Sequence, residues 1–251
     1  MPATKKTQMH QLFSEGPAVA DPFACWIVGD TPLITHAWSL KARLEMLSKQ
    51  RKSAKAGREA RDPDQDFRDS LYAMGNDEKG DPVWGFPATG VKNSILAVAH
   101  KDKGIARTDV MSALFIHGRM ARGVPAKAGA ICDLPLVRIW APQPAMREDM
   151  VRVGVGLKKT ASLAYRGQFW PWAVRIMGVL NTNVVSAESL AFLIREAGTA
   201  CGLGEWRNER HGMFGAYHLA NRSESLAWEE YTQGGPVPEL ADTAPITLAA
   251  E

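Results

Sequence analysis

The chain has 251 residues, 45% of them hydrophobic and 23% charged, the balance of a soluble globular protein of one large domain or two small ones. Against 27 acidic side chains stand 30 basic ones, a net +3 that names no nucleic-acid partner by itself, so the placement of charge matters more. No apolar run reaches membrane-span length, the first 20 residues lack the apolar core of a secretory signal, Cys25, Cys132 and Cys201 are scattered without any Cys-x-x-Cys pair, and no Gly-x4-Gly-Lys-Ser/Thr loop occurs, so the expectation is a cytoplasmic protein with no disulfide framework, metal, cofactor or membrane partner.

Residues 1–20 are polar and small and read as a flexible arm. Phe23–Val28 is a short apolar run between Asp21-Pro22 and Gly29-Asp30, which predicts a strand, with a turn at Thr31–Ile34. Residues 39–61 begin with Leu40, Leu44 and Leu47 at helical spacing and then lose the apolar face. They hold Lys41, Arg43, Lys49, Arg51, Lys52, Lys55, Arg58 and Arg61 against Glu45 and Glu59. Such a run is either a solvated helix or an anion-binding one. Residues 62–82 are rich in Asp, Gly, Asn and Pro and read as a mobile loop, so 39–82 is expected to be an inserted basic helical region.

Phe86-Pro87-Ala88 opens a predicted helix over about 88–101, with Val91, Ile95, Leu96, Val98 and Ala99 as its apolar face. A short helix at Asp109–Leu114, a strand at Leu114–His117, a flexible stretch at 118–130 and an edge strand at Leu134–Trp140 follow. Met150–Val155, Ser162–Phe169 and Trp172–Leu180 read as strands. Arg147 and Asp149 read as a local ion pair, and Lys158-Lys159 as a hairpin tip. Ser186 caps a helix whose stripe is Leu190, Leu193, Ile194 and Ala197 and which Gly198 ends. A last strand spans Met213–Leu219, and residues 233–251 read as a flexible tail. The order suggests an α+β domain over 21–232: a ferredoxin-like, RNA-recognition-type antiparallel sheet with helices on one face, its other face free to bind.

The most specific segment runs from Gly202 to Gly215 (GLGEWRNERHGMFG), between the last helix and the last strand. Gly202, Gly204 and Gly212 either shape a backbone anion nest or simply make a tight turn. A glycine-rich loop at this place resembles the mark of the RAMP superfamily, the CRISPR backbone and repeat-binding proteins, although Gly212-Met213-Phe214-Gly215 is one residue longer than that pattern. Phe86-Pro87-Ala88-x3-Lys92 is similar to the entry of a lysine-bearing, RNA-facing helix in the same family, with Asn93 where the family has glycine. Thr31–His36, Phe86–Ala88 and Gly204–Arg207 together also look like bacteriophage proteins.

The resemblance implies a protein that binds single-stranded DNA or RNA and assembles with copies of itself along the strand. Such binding needs cations for phosphates and flat rings for bases. The expected contacts are Arg43, Lys49, Arg51, Lys55 and Lys92, with Arg166 and Arg175 if they share a face with Arg152, and Trp206 with Arg207 as stacking and clamping groups around Gly202, Gly204 and Gly212. Catalysis is the alternative: some relatives cleave RNA without metal through a histidine near the first helix, and His36 with Lys41 or Arg43 could supply the base and the cation. A purely structural role is the other alternative. A calcium loop at Asp62, Asp64 and Asp66 is discounted for want of the distal glycine and glutamate.

Overall fold

β1 (Asp21–Gly29) alternates as a two-faced strand should: Phe23, Cys25 and Ile27 point to one side, Trp26 and Val28 to the other. It is the spine of a computed structural model that describes residues 20–38, 46–47, 50–51, 62–102, 104–120, 134–153 and 160–238. On one edge of β1 runs β11 (Tyr217–Leu219), on the other β10 (Ala173–Leu180), both antiparallel. The sheet continues through β7 (Pro135–Trp140), β4 (Pro82–Pro87) and β3 (Tyr72–Asn76), giving the order β11-β1-β10-β7-β4-β3. Two short strands, β5 (Leu114–Ile116) and β6 (Arg119–Met120), pair with β10 and β7. The architecture is α+β, helices with antiparallel sheet.

Three helices lie on the Ile27 side. α2 (Ala88–Ala97) buries Val91, Ile95 and Leu96, α3 (Arg107–Ala113) buries Val110, and α4 (Ala187–Ala200) buries Leu190, Leu193, Ile194 and Ala197. These side chains, with Ile27, Trp172, Val174 and Ile176, form one continuous core. Ser186 caps α4 as expected, its Oγ accepting from the Ser189 amide at 3.1 Å. Gly198 does not end α4 but sits inside it, because a Cβ there would stand 1.7 Å from the Tyr217 carbonyl oxygen. Helix and strand touch through that hydrogen-sized side chain.

A smaller sheet, β2-β9-β8, stands beside the first, with β2 at Leu33–Thr35, β8 at Ala145–Val153 and β9 at Thr160–Phe169. Thus the expected turn at Thr31–Ile34 is half strand: Leu33 and Ile34 are fully buried and β2 pairs with β9. The β1/β10 and β2/β9 pairs are two stretches of one antiparallel ribbon, broken at residues 30–32 and 170–172. At the break the Trp172 indole donates to the Thr31 carbonyl at 2.8 Å, and the Gly29 amide to the Trp172 carbonyl at 2.9 Å.

Several other expectations need correction. The stretch 62–82 is ordered as α1 (Pro63–Asp69) and β3, and it reaches into β4. Asp62 is an N-cap, accepting from the amides of Asp64 and Gln65, and Pro63 fits the first turn. β7 is no edge strand: it lies between β10 and β4, and Pro135 opens it, where a missing amide costs least. Nor is the second sheet face bare. α5 (Arg222–Thr232) lies across it, with Trp228 packed on Trp26, Val28 and Ala173. The expected basic segment 39–61 lies outside the described residues except for Met46, Leu47, Gln50 and Arg51.

Candidate nucleic-acid interface

The glycine-rich segment leaves α4 at Cys201 and closes on itself at the ribbon break. Its Leu203 amide donates to the Gly215 carbonyl, Phe214 to Trp206, and Gly215 to Pro32. The Glu205 amide donates to the Ile34 carbonyl at 2.9 Å, so the loop runs along the open edge of β2. Gly202, Gly204 and Gly215 all have positive φ, and a Cβ on Gly204 would approach the Ile34 oxygen to 2.3 Å. At Gly212 a Cβ would meet the Trp206 oxygen at 1.7 Å.

This bonding bears on the expected anion nest. The Gly202 amide already donates to Ala197 and the Gly212 amide to Arg207. Both amides are taken up inside the fold, where the two glycines allow the backbone to approach closely.

What the loop presents outward is side chains. Trp206 has φ 55, the left-handed region, which is rare for so bulky a residue and marks a position held by its surroundings. Its ring is 37% exposed and lies 5.7 Å from the Arg166 guanidinium carbon. Arg166, on β9, is buried, and its Nε and Nη1 have no hydrogen-bond partner. Its nearest carboxylates are those of Asp149 at 3.8 Å and Glu205 at 4.0 Å, beyond hydrogen-bond reach. Asp149 is held instead by Arg147, whose Nε donates at 2.9 Å, as the sequence pairing suggested. The Arg147 guanidinium in turn sits 4.5 Å from the Phe214 ring. Glu205 also faces His36, with Nδ1 to Oε1 at 3.5 Å. The hydrogen bond from His36, with Arg166 and Arg207 nearby, holds the Glu205 carboxyl below its ordinary range despite partial burial. Arg207 is committed to Glu209 at 2.7 Å and to the Gly204 carbonyl at 3.0 Å. Trp38, 58% exposed, follows His36 in the chain.

Of the expected contacts, therefore, Arg166, Trp206, Arg207, Gly202, Gly204 and Gly212 come together, and the catalytic alternative His36 joins them. Others do not. Lys92 lies on α2 and donates to the Met111 carbonyl at 2.8 Å, and Arg175 lies on the main sheet near Glu229. Arg51 is exposed, and Arg43, Lys49 and Lys55 lie outside the described residues, as does the Lys158-Lys159 tip. Arg152, Arg166 and Arg175 share no face: Arg166 pairs across from Arg147, five residues from Arg152 on a strand of period two, while Arg175 belongs to the other sheet. The sequence reading missed Glu205, Asp149 and Phe214 as members of the cluster. Their convergence needs the loop-to-ribbon contact, which no local pattern encodes.

Among the described residues no three His, Cys, Asp or Glu side chains gather as a metal ion would require, and no helix is long and apolar enough to cross a membrane. A cavity of about 220 Å³ behind the loop, lined by Thr199, Gly202, Asn208, Met213 and Phe214, is smaller than the roughly 300 Å³ at which small-molecule sites begin.

No protein-family model matches the chain, and no curated protein does. Among solved structures it is similar to Cmr6 from Pyrococcus furiosus, at 7% identity and a TM-score of 0.36, over 81% of this chain and 100% of that one.

Proposed function

We propose that the chain is a non-catalytic, RAMP-type protein that binds single-stranded nucleic acid at the surface of the glycine loop. One observation carries the reading: an exposed tryptophan, locked on a left-handed backbone, lies beside a buried arginine whose Nε and Nη1 lack acceptors. A flat ring offers a base somewhere to stack, and the uncompensated positive charge of the guanidinium behind it favours a phosphate nearby. Supporting the ferredoxin-like form is the strand order β11-β1-β10-β7, with α2 before β7 and α4 between β10 and β11. Assembly of copies along the strand belongs to the same reading. So does a bacteriophage setting, from the likeness at Thr31–His36, Phe86–Ala88 and Gly204–Arg207.

Anisotropy titration of labelled single-stranded DNA and RNA, with a duplex control at two salt concentrations, tests it. Salt-dependent binding to single strands that weakens on Trp206→Ala, with affinity rising with strand length, is the expected result. Absence of binding to any of them at low salt refutes it.

The His36–Glu205 contact favours a second reading, RNA cleavage without metal. A carboxylate orients the imidazole, which could take the proton of a 2′-OH, while Arg166 faces developing negative charge. Cleavage of labelled RNA in EDTA that His36→Ala abolishes would select it.

A further inference from the structure

We propose that α5 is a detachable acidic cover over a second nucleic-acid surface, the sheet face that carries Trp26, Trp140, Arg138 and Arg175. This rests on the single-strand reading but uses none of the glycine-loop residues. Across that face Trp26 is paired with Arg175, and Val28 and Trp140 flank Ala173. The Arg138 guanidinium lies 3.6 Å from the Trp140 ring centroid, and the two tryptophan rings are 6.5 Å apart. The face continues beyond the helix through Phe115 and Met177, which are 59% and 48% exposed. Flat rings alternating with guanidinium groups form a surface on which bases stack while phosphates are neutralised.

α5 covers this face through a small apolar footprint, Trp228 and part of Tyr231. Its sequence, RSESLAWEEYT, has Glu224, Glu229 and Glu230 against Arg222, and Trp228 is its one buried residue. α4, which belongs to the core, buries five. Glu229 approaches Arg175 only to 4.0 Å, too far for a hydrogen bond. The Trp26 indole Nε1 is buried beneath the helix with no acceptor. A core helix satisfies such a donor. Trp228 with the partly buried Tyr231 beside it, the bridge from His218 to Glu224 at the first turn and one long ion pair hold the helix, and they leave an orphaned N–H and an arginine that an acceptor-rich polyanion would serve better. The acidic side chain over Arg175 stands where a phosphate would stand, which is the charge complementarity that selects nucleic acid as the occupant over an apolar partner.

The test uses the full chain and two variants. Glu229→Gln with Glu230→Gln removes charge at the surface, and Trp228→Ala removes the anchor. Labelled oligo-dT and oligo-U are titrated by anisotropy, and ultraviolet cross-links are mapped by mass spectrometry. If the covered form holds about nine molecules in ten, uncovering tightens apparent affinity about tenfold. Cross-links then appear in the peptides holding Trp26, Trp140 or Phe115. The charge variant retains the anchor and so remains informative if Trp228→Ala fails to fold. Variants that bind no tighter, with cross-links confined to Trp206, overturn the cover and leave the glycine-loop surface standing. No binding by any of the three proteins overturns both.

Discussion

Replacing His218 with asparagine tests how α5 is fastened. His218 is the middle residue of β11, and its ring bridges Asp30, at 2.6 Å from Nδ1, and Glu224, at 3.0 Å from Nε2. Asp30 follows β1, while Glu224 lies in the first turn of α5 and also accepts from the Asn221 amide in a capping box. The Asp30 bond, and then that from Glu224, raise the His218 pKa from 6.5 to about 9, against the opposing effect of partial burial. Undamped, that displacement would be worth about 3 kcal/mol. The side chain is 39% exposed, so screening reduces it to about 1–2 kcal/mol. The folded value is the higher one, so this stability is fully present below pH 6.5 and is lost as pH rises towards 9. Urea unfolding of both proteins at pH 6 and pH 10 measures it. The wild type should lead His218→Asn by about 1–2 kcal/mol at pH 6, with most of that margin gone at pH 10. A margin that stays constant between the two pH values would refute the ion-bridge account and leave only neutral packing.

The glycines of the loop give a graded series. Gly204→Ala, with a positive φ and a Cβ 2.3 Å from a carbonyl oxygen, should lose more stability in thermal melts than Gly80→Ala, whose φ is also positive but which meets nothing within 4 Å. The Gly80 change should cost about 1 kcal/mol, and Gly204 several times that. At the buried Ser94–Tyr217 hydrogen bond of 3.0 Å, Ser94→Ala strands the phenol and should cost about 1–3 kcal/mol, whereas Tyr217→Phe should cost less; equal losses in denaturant titrations would contradict this. Ser186→Ala should lower stability by about 1 kcal/mol through loss of the α4 cap, checked by thermal unfolding. Trp206→Ala should weaken single-strand binding by about 1–3 kcal/mol while leaving the melting temperature near wild type, because its ring is on the surface.

The elements legible in the sequence are those whose burial leaves an apolar pattern. β10 and α4 announce themselves because one face of each enters the core and the apolar residues keep that rhythm, and β1 because its run Phe23–Val28 is apolar on both faces and bounded by turn residues. α5 escapes the same reasoning because only Trp228 is buried, so there is no stripe to find. Its signal was the Asn221-x-x-Glu224 box, which reports a helix start without reference to hydrophobicity. α1 likewise hid behind loop-like composition, although Asp62-Pro63 is a cap followed by a first-turn proline. The glycines stand out in the sequence as conformationally special, but what they approach is set elsewhere in the chain: the Gly202 amide donates to Ala197 in α4, the Gly215 amide to Pro32, and a Cβ on Gly204 would meet Ile34 in β2, contacts that a one-dimensional reading does not bring together. His36 and Glu205 meet for the same reason: β2 puts its open edge beside a loop that follows it by 170 positions.

The pairing of β1 has a consequence for how the chain comes into being. Ile27 finds its partners at Val174 and Leu219, and the break after Gly29 is closed by Trp172 and Ala216. A ribosome adding about 5–20 residues per second leaves this apolar strand without either neighbour for about 7–30 s. During that interval both edges of β1 are open templates, and a topology so rich in distant contacts closes slowly. Shielding the Phe23–Val28 segment during synthesis, by lower growth temperature or added chaperone, should therefore raise the soluble fraction on expression.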